Sequence, residues 1–225
     1  MAQWAIERGN TGSFYSTTAL DATIGSRYVD LALATSGGSV ATLNDRVSYH
    51  SINSFIQFKS DMVVVAEWEG QVRVGQVNGG FTNAQVFFGF ASNASQPQQS
   101  GITAVGFLAN AQGASSTNWM TRAEGGGAPA DTDSGVARTL ATWFKFRMEL
   151  HGSATPLGAA NGSVDTTRFF INDTLITTVQ TLNSGALYWV MSSVSEDQVG
   201  NNNGDCYQRM GPVMIKWNRY ANAVL

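Results

Sequence analysis

Apolar and polar residues alternate with a period of two along much of this chain. The clearest run is 142–150, TWFKFRMEL: Phe144, Phe146, Met148 and Leu150 fall on one side, and Trp143, Lys145, Arg147 and Glu149 on the other. Successive side chains of a β-strand point to opposite faces, so the run predicts a strand with one buried face. Residues 167–179, TRFFINDTLITTV, read as two strands around an Asn172-Asp173 turn. Asn and Asp tolerate the left-handed backbone that two-residue hairpin turns require. Across this turn Phe170 is expected to face Leu175, and Phe169 to face Ile176. Both sides of the hairpin then carry apolar pairs. One side packs on a second sheet; the other is expected to need cover from a loop, an arm or a partner subunit.

The same reading extends to 84–92, 102–110, 116–123, 186–194 and 213–220, and to the stretch from residue 52 that contains MVVVAEWEGQVRV. Residues 124–135, 151–165 and 200–205 read as loops, rich in Gly, Asn, Asp and Ser. Helical periodicity is scarce. Many short strands with turn signals predict an all-β fold, an antiparallel two-sheet sandwich. Residues 1–50 are the least patterned and are expected to form an N-terminal arm or additional strands. Residues 51–225 are expected to form the sandwich, in one compact domain overall.

Composition narrows the partners. Charged residues are 13% of the 225, against an ordinary share of about 25%, and lysine occurs only at 59, 145 and 216. The net charge of -3 leaves no electrostatic footprint for nucleic acid. No run of like charge suggests a membrane-binding patch, and no apolar stretch is long enough to span a bilayer. Cys206 stands alone, which excludes an intrachain disulfide framework. The opening MAQWAIERGNTGS lacks the pattern of a secretory signal, so synthesis in a host cytoplasm without export is expected.

Trp143, Phe146, Arg147 and Glu149, followed by Phe169, Phe170, Ile171 and Asn172, resemble the concanavalin A-like lectin/glucanase superfamily, which includes laminin-G-like domains. There a strand of the form W-x-x-F-R-x-E precedes a hairpin opened by F-x-I-N. The resemblance implies a jelly-roll sandwich and, by itself, no activity, since this fold hosts enzymes, lectins and structural modules. Glucanases of the superfamily carry E-x-D-x-E on one strand face, and this chain has Glu67, Glu69 and Gln71 at that spacing. Gln71 cannot serve as a general acid, so no glycosidase activity is expected here and the three residues are candidates for ligand contact only. Trp119 and Trp189, with Tyr188, are candidates for an aromatic sugar platform.

Asp131 and Asp133 are candidate oxygen ligands for an ion, as are residues 201–203 and 205. His50 and His151 are too isolated to propose zinc. No cofactor is expected. Trp4, Phe14, Tyr15, Tyr28 and Leu31 are candidate interface residues, because aromatic residues are enriched at interface cores. The charge-poor polar surface, the absence of an export signal and the two-faced hairpin favour a non-enzymatic bacteriophage virion protein of the capsid-decoration or cement type. Its partners would be other virion protein copies, in a homo-oligomer or on a capsid surface. A carbohydrate-binding lectin module of a tail or fibre is the alternative, and a glycoside hydrolase or lyase the second alternative.

Overall fold

The computed structural model describes residues 4–9, 29–33, 46–54, 56–74, 84–93, 102–109, 117–125, 131–180, 185–195 and 206–220. Among them the strands are β1 (Trp4–Gly9), β2 (Val29–Leu33), β3 (Arg46–Ser51), β4 (Ile56–Phe58), β5 (Met62–Val74), β6 (Ala84–Ala91), β7 (Thr103–Leu108), β8 (Asn118–Gly125), β9 (Asp131–Ala137), β10 (Phe144–His151), β11 (Thr166–Ile171), β12 (Thr174–Gln180), β13 (Gly185–Ser195), β14 (Cys206–Met210) and β15 (Met214–Arg219). A single helical turn, α1 (Pro156–Ala160), lies within the segment read as a loop between β10 and β11. No described helix is long and apolar enough to cross a membrane.

The strands form two antiparallel sheets. One runs β1-β3-β13-β6-β7-β8-β9, with β4 also paired to β13; the other runs β12-β11-β10-β5-β14-β2, with β15 also paired to β5. β1 lies beside β3 in the first sheet, and β2 beside β14 in the second, so the described parts of the N-terminal region contribute strands to both sheets. Trp4 and Leu31 belong to these two strands. Phe14, Tyr15 and Tyr28 lie outside the described residues.

The alternation of β10 places Phe144, Phe146, Met148 and Leu150 between the sheets, where they are buried. Phe146 is the hub of an aromatic core, with ring centroids 4.7 Å from Phe107, 4.9 Å from Trp119 and 5.6 Å from Trp68. These separations suit edge and offset ring contacts, which add to the burial of each ring.

The hairpin turns as expected: Asn172 and Asp173 both have positive φ, 50° and 64°, and Phe170 pairs with Leu175. Phe169, however, pairs with Thr177 rather than Ile176. An irregularity between Phe169 and Phe170 adds one residue to β12 and breaks the simple count. The cover of the outward side also differs from expectation. Phe170 is only 5% exposed, and it is capped from within its own sheet. The Arg147 guanidinium lies 3.7 Å from its ring centroid, and that of Arg168 5.0 Å away.

A second correction concerns 124–135. β8 continues to Gly125, and Asp131–Ala137 forms the edge strand β9. An edge strand needs a ladder on one side only, so it tolerates Asp, Ser and Gly that a central strand would not. Side chains reinforce the ladder: Arg122 grips Asp131 through two hydrogen bonds of 2.6 and 2.7 Å, and Asn118 donates to Asp133.

Candidate functional site

β5 is the organising strand of the second sheet. Its even positions Val64, Ala66 and Trp68 are buried in the core, which turns Glu67 and Glu69 to the outer face. β10 lies beside it in a register that sets Arg147 opposite Glu67 and Lys145 opposite Glu69. Along the other edge of β5, β14 and β15 behave as one long strand with an interruption. Met210 pairs with Gly70 and Met214 with Glu67, so Gly211, Pro212 and Val213 stand against only Trp68 and Glu69. This bulge bends the strand, and Gly211 N–H still donates to the Glu69 carbonyl at 2.9 Å. Proline, which has no N–H to lose, fits at the point where the ladder is broken.

The bend opens a hollow of about 230 Å³ lined by Glu67, Trp68, Glu69, Lys145, Pro212 and Met214. Glu69 is exposed, Glu67 half-buried, and Met214 43% exposed. Lys145 donates to both oxygens of Asp173, at 2.8 and 3.1 Å, and that bond raises its pKa above the ordinary lysine value. Further along β10, Glu149 collects Arg147 and Arg168 at 3.0 Å each, and His151 at 3.5 Å. Burial lowers the His151 pKa below 6.5, with the hydrogen bond to Glu149 opposing it. Trp143, 40% exposed, sits between Ala141, whose N–H reaches the Val72 carbonyl, and Phe144, which pairs with Gly70.

The candidates from sequence separate into groups. Glu67 and Glu69 come together at the hollow. Gln71 follows on the same strand but is buried, its side-chain amide donating to the Ala141 carbonyl at 2.5 Å. Trp119 and Trp189 are fully buried between the sheets and present no face to a sugar. Their strands send every second side chain inward, and both indoles fall on that side. Asp131 is committed to Arg122, and Asp133 accepts from Asn118 and from the Gly135 N–H at 2.7 Å. No group of three or more His, Cys, Asp or Glu able to hold a metal occurs among the described residues. Residues 201–205 lie outside them. Pro212 and Met214 were not singled out from sequence, and Lys145 and Trp143 were read as the outward side of a strand rather than as site residues. The Gly211-Pro212 pair inside an otherwise strand-like run was the available signal, since that dipeptide in a strand marks a bulge.

The outer face of the first sheet is different. Phe87, Ala91, Ala104, Leu108 and Val190 form a second buried apolar cluster there. A row across this face runs His50, Val190, Gly89, Gly106, Arg122, each directly opposite the next. Four strand spacings separate His50 from Arg122, about 19 Å at ~4.8 Å each. The Phe87 ring occupies the middle of the row, 2.8 Å from where a Cβ on Gly106 would stand. Tyr188 lies on the same face, half-buried, and Glu124 is buried there.

Two packed antiparallel sheets with this topology are a jelly-roll β-sandwich of the concanavalin A-like kind. No protein-family profile matches the chain, nor does any curated protein sequence. Solved structures match its shape. The alginate lyase from Corynebacterium sp. superimposes with a TM-score of 0.59 at 10% identity, over 96% of this chain and 95% of that one. Alginate lyase A1-II', of polysaccharide lyase family 7, gives 0.57 at 9% identity, over 92% and 86%. The carbohydrate recognition domain of Emp47p gives 0.50 at 12% identity, over 95% and 100%. Likeness at these identities establishes the fold. It lends no support to a virion role.

Proposed function

We propose that this chain is a carbohydrate-binding sandwich that holds a saccharide in the hollow beside β5 without cleaving it. The observation that carries this reading is the bulge at Gly211–Val213, which turns a flat sheet face into a hollow with acceptors and an apolar wall. Binding sites for small ligands combine a concave shape, apolar contact and a few placed polar groups. Glu67 and Glu69 supply acceptors, Lys145 a donor, and Pro212 and Met214 the apolar side. Trp143, two residues before Lys145 in the chain, adds an exposed aromatic surface. The fold is shared with a carbohydrate recognition domain and with enzymes named for a polysaccharide, which makes a saccharide the natural ligand class to test.

A pair of carboxyl groups can cleave a glycosidic bond, so the reading without cleavage rests on the third position of the strand motif, where Gln71 stands in place of an acid. A group that hands over a proton near neutral pH must reach the scissile bond. The hollow is lined by two carboxylates, an ion-paired lysine, and side chains without titratable groups. Gln71, third along the strand face, is an amide already bonded to Ala141. A lyase reading draws instead on His50 and Tyr188 on the other sheet, where an apolar cluster fills the face between the polar groups.

A glycan array on the purified chain tests the proposal. Binding that disappears in Glu69→Ala and weakens in Trp143→Ala, with unchanged melting, is the expected result. Release of unsaturated sugar products that stops in His50→Ala or Tyr188→Phe, but persists in Glu69→Ala, would replace this reading with the lyase one.

A further inference from the structure

We propose that the saccharide unit seated in the hollow is one without a carboxylate, recognised by hydroxyl donors directed at Glu67 and Glu69. The inference rests on the binding reading above and adds the ligand's charge class. Ionised carboxylates only accept hydrogen bonds, so their partner must donate. Glu67 and Glu69 stand two residues apart on one strand, which spaces their Cα atoms by roughly 6.5 Å. A sugar ring between them can present a hydroxyl to each.

Three cations of this sheet, Lys145, Arg147 and Arg168, are each bonded to an acid outside the hollow. Lys145, the cation lining the hollow, is held by both oxygens of Asp173. Arg147, although opposite Glu67 in register, turns to Glu149 and stacks on Phe170. Arg168 also goes to Glu149. Lys216, two residues beyond Met214 on β15, is not among the residues that line the hollow. A uronate entering here would bring a further negative charge beside two carboxylates, and like charges held close are unfavourable in both affinity and approach rate. A neutral ring meets no such penalty, and its C–H face can lie on Pro212 and Met214.

Titration calorimetry with neutral hexose oligomers, glucosamine oligomers and oligouronates of equal length separates the possibilities. The expected result is binding of a neutral or amino sugar at least tenfold tighter than any uronate, with the gap narrowing as salt screens the repulsion. Glu69→Gln should weaken the neutral ligand about tenfold, since the charged acceptor becomes a neutral amide oxygen. The Glu67→Gln/Glu69→Gln variant should narrow the discrimination against uronates. Both are checked for an unchanged melting temperature; Glu69→Gln, at an exposed position, serves as the conservative variant. A uronate bound as tightly as the neutral sugars, or more tightly, overturns the inference while leaving the binding reading in place. Binding of none of the three classes overturns both.

Discussion

The outward-facing Phe170 gives a quantitative test of how this sandwich covers its own surface. The ring is 5% exposed, yet it lies on the side of the sheet away from the core, under the guanidinium groups of Arg147 and Arg168. Truncation to alanine removes two contributions. Burial of a phenylalanine side chain is worth about 1.5–3 kcal/mol, and a cation over a ring about 0.5–1 kcal/mol at a partly exposed site. Against this, two long arginine side chains can settle into the space, so the residual cavity term of a rigid core is largely absent. Phe170→Ala should therefore cost about 2–4 kcal/mol. Its neighbour Phe169 is fully buried among core rings, 5.4 Å from Phe107, and Phe169→Ala should cost about 3–5 kcal/mol. For a domain of this size each kcal/mol moves Tm by roughly 2–4 °C. Urea unfolding of Phe170→Ala, Arg147→Ala and the double variant measures the coupling, expected at about 0.5–1 kcal/mol. A coupling of zero, with a cost equal to that of Phe169→Ala, would show that something other than the arginines covers the ring.

Three further outcomes follow from the same structure. Gly106→Ala should destabilise by more than about 3 kcal/mol, or prevent folding, because a Cβ there would meet the Phe88 carbonyl oxygen and the Phe87 ring, neither free to move; circular dichroism melting checks it. His151 has a folded pKa below its unfolded value, so the unfolded state binds the extra proton: its contribution is fully present above about pH 6.5 and declines as pH falls toward the folded pKa. His151→Gln should flatten that part of a Tm-against-pH curve, with Glu149 and Arg168 left to pair. Trp119→Ala should lower stability by about 3–5 kcal/mol, and any loss of sugar binding should track the loss of fold seen by near-UV circular dichroism.

The period-two pattern alone determined the strand character of this chain and which side of β10 is buried, because a pleated backbone ties side-chain direction to position in the sequence. The Asn172-Asp173 turn was equally local, since only the backbone preferences of two residues were needed. The same local logic placed Glu67, Glu69 and Gln71 on one side of β5. Whether those three share a site was not local. Gln71 is removed by Ala141, seventy residues away, while Glu67 and Glu69 gain Lys145, Pro212 and Met214 from strands brought in by sheet pairing. Trp119 and Trp189 show the same limit: an aromatic residue in a strand suits a core or a binding face equally well, and only the position of the second sheet decides. The cover over Phe170 was also decided in three dimensions. From the sequence its outward apolar face called for a loop, an arm or a partner subunit, whereas pairing β10 with β11 lays two arginines across it. Local backbone chemistry specified the strands; which residues meet across them was set by register, and register is settled only when the whole sheet is assembled.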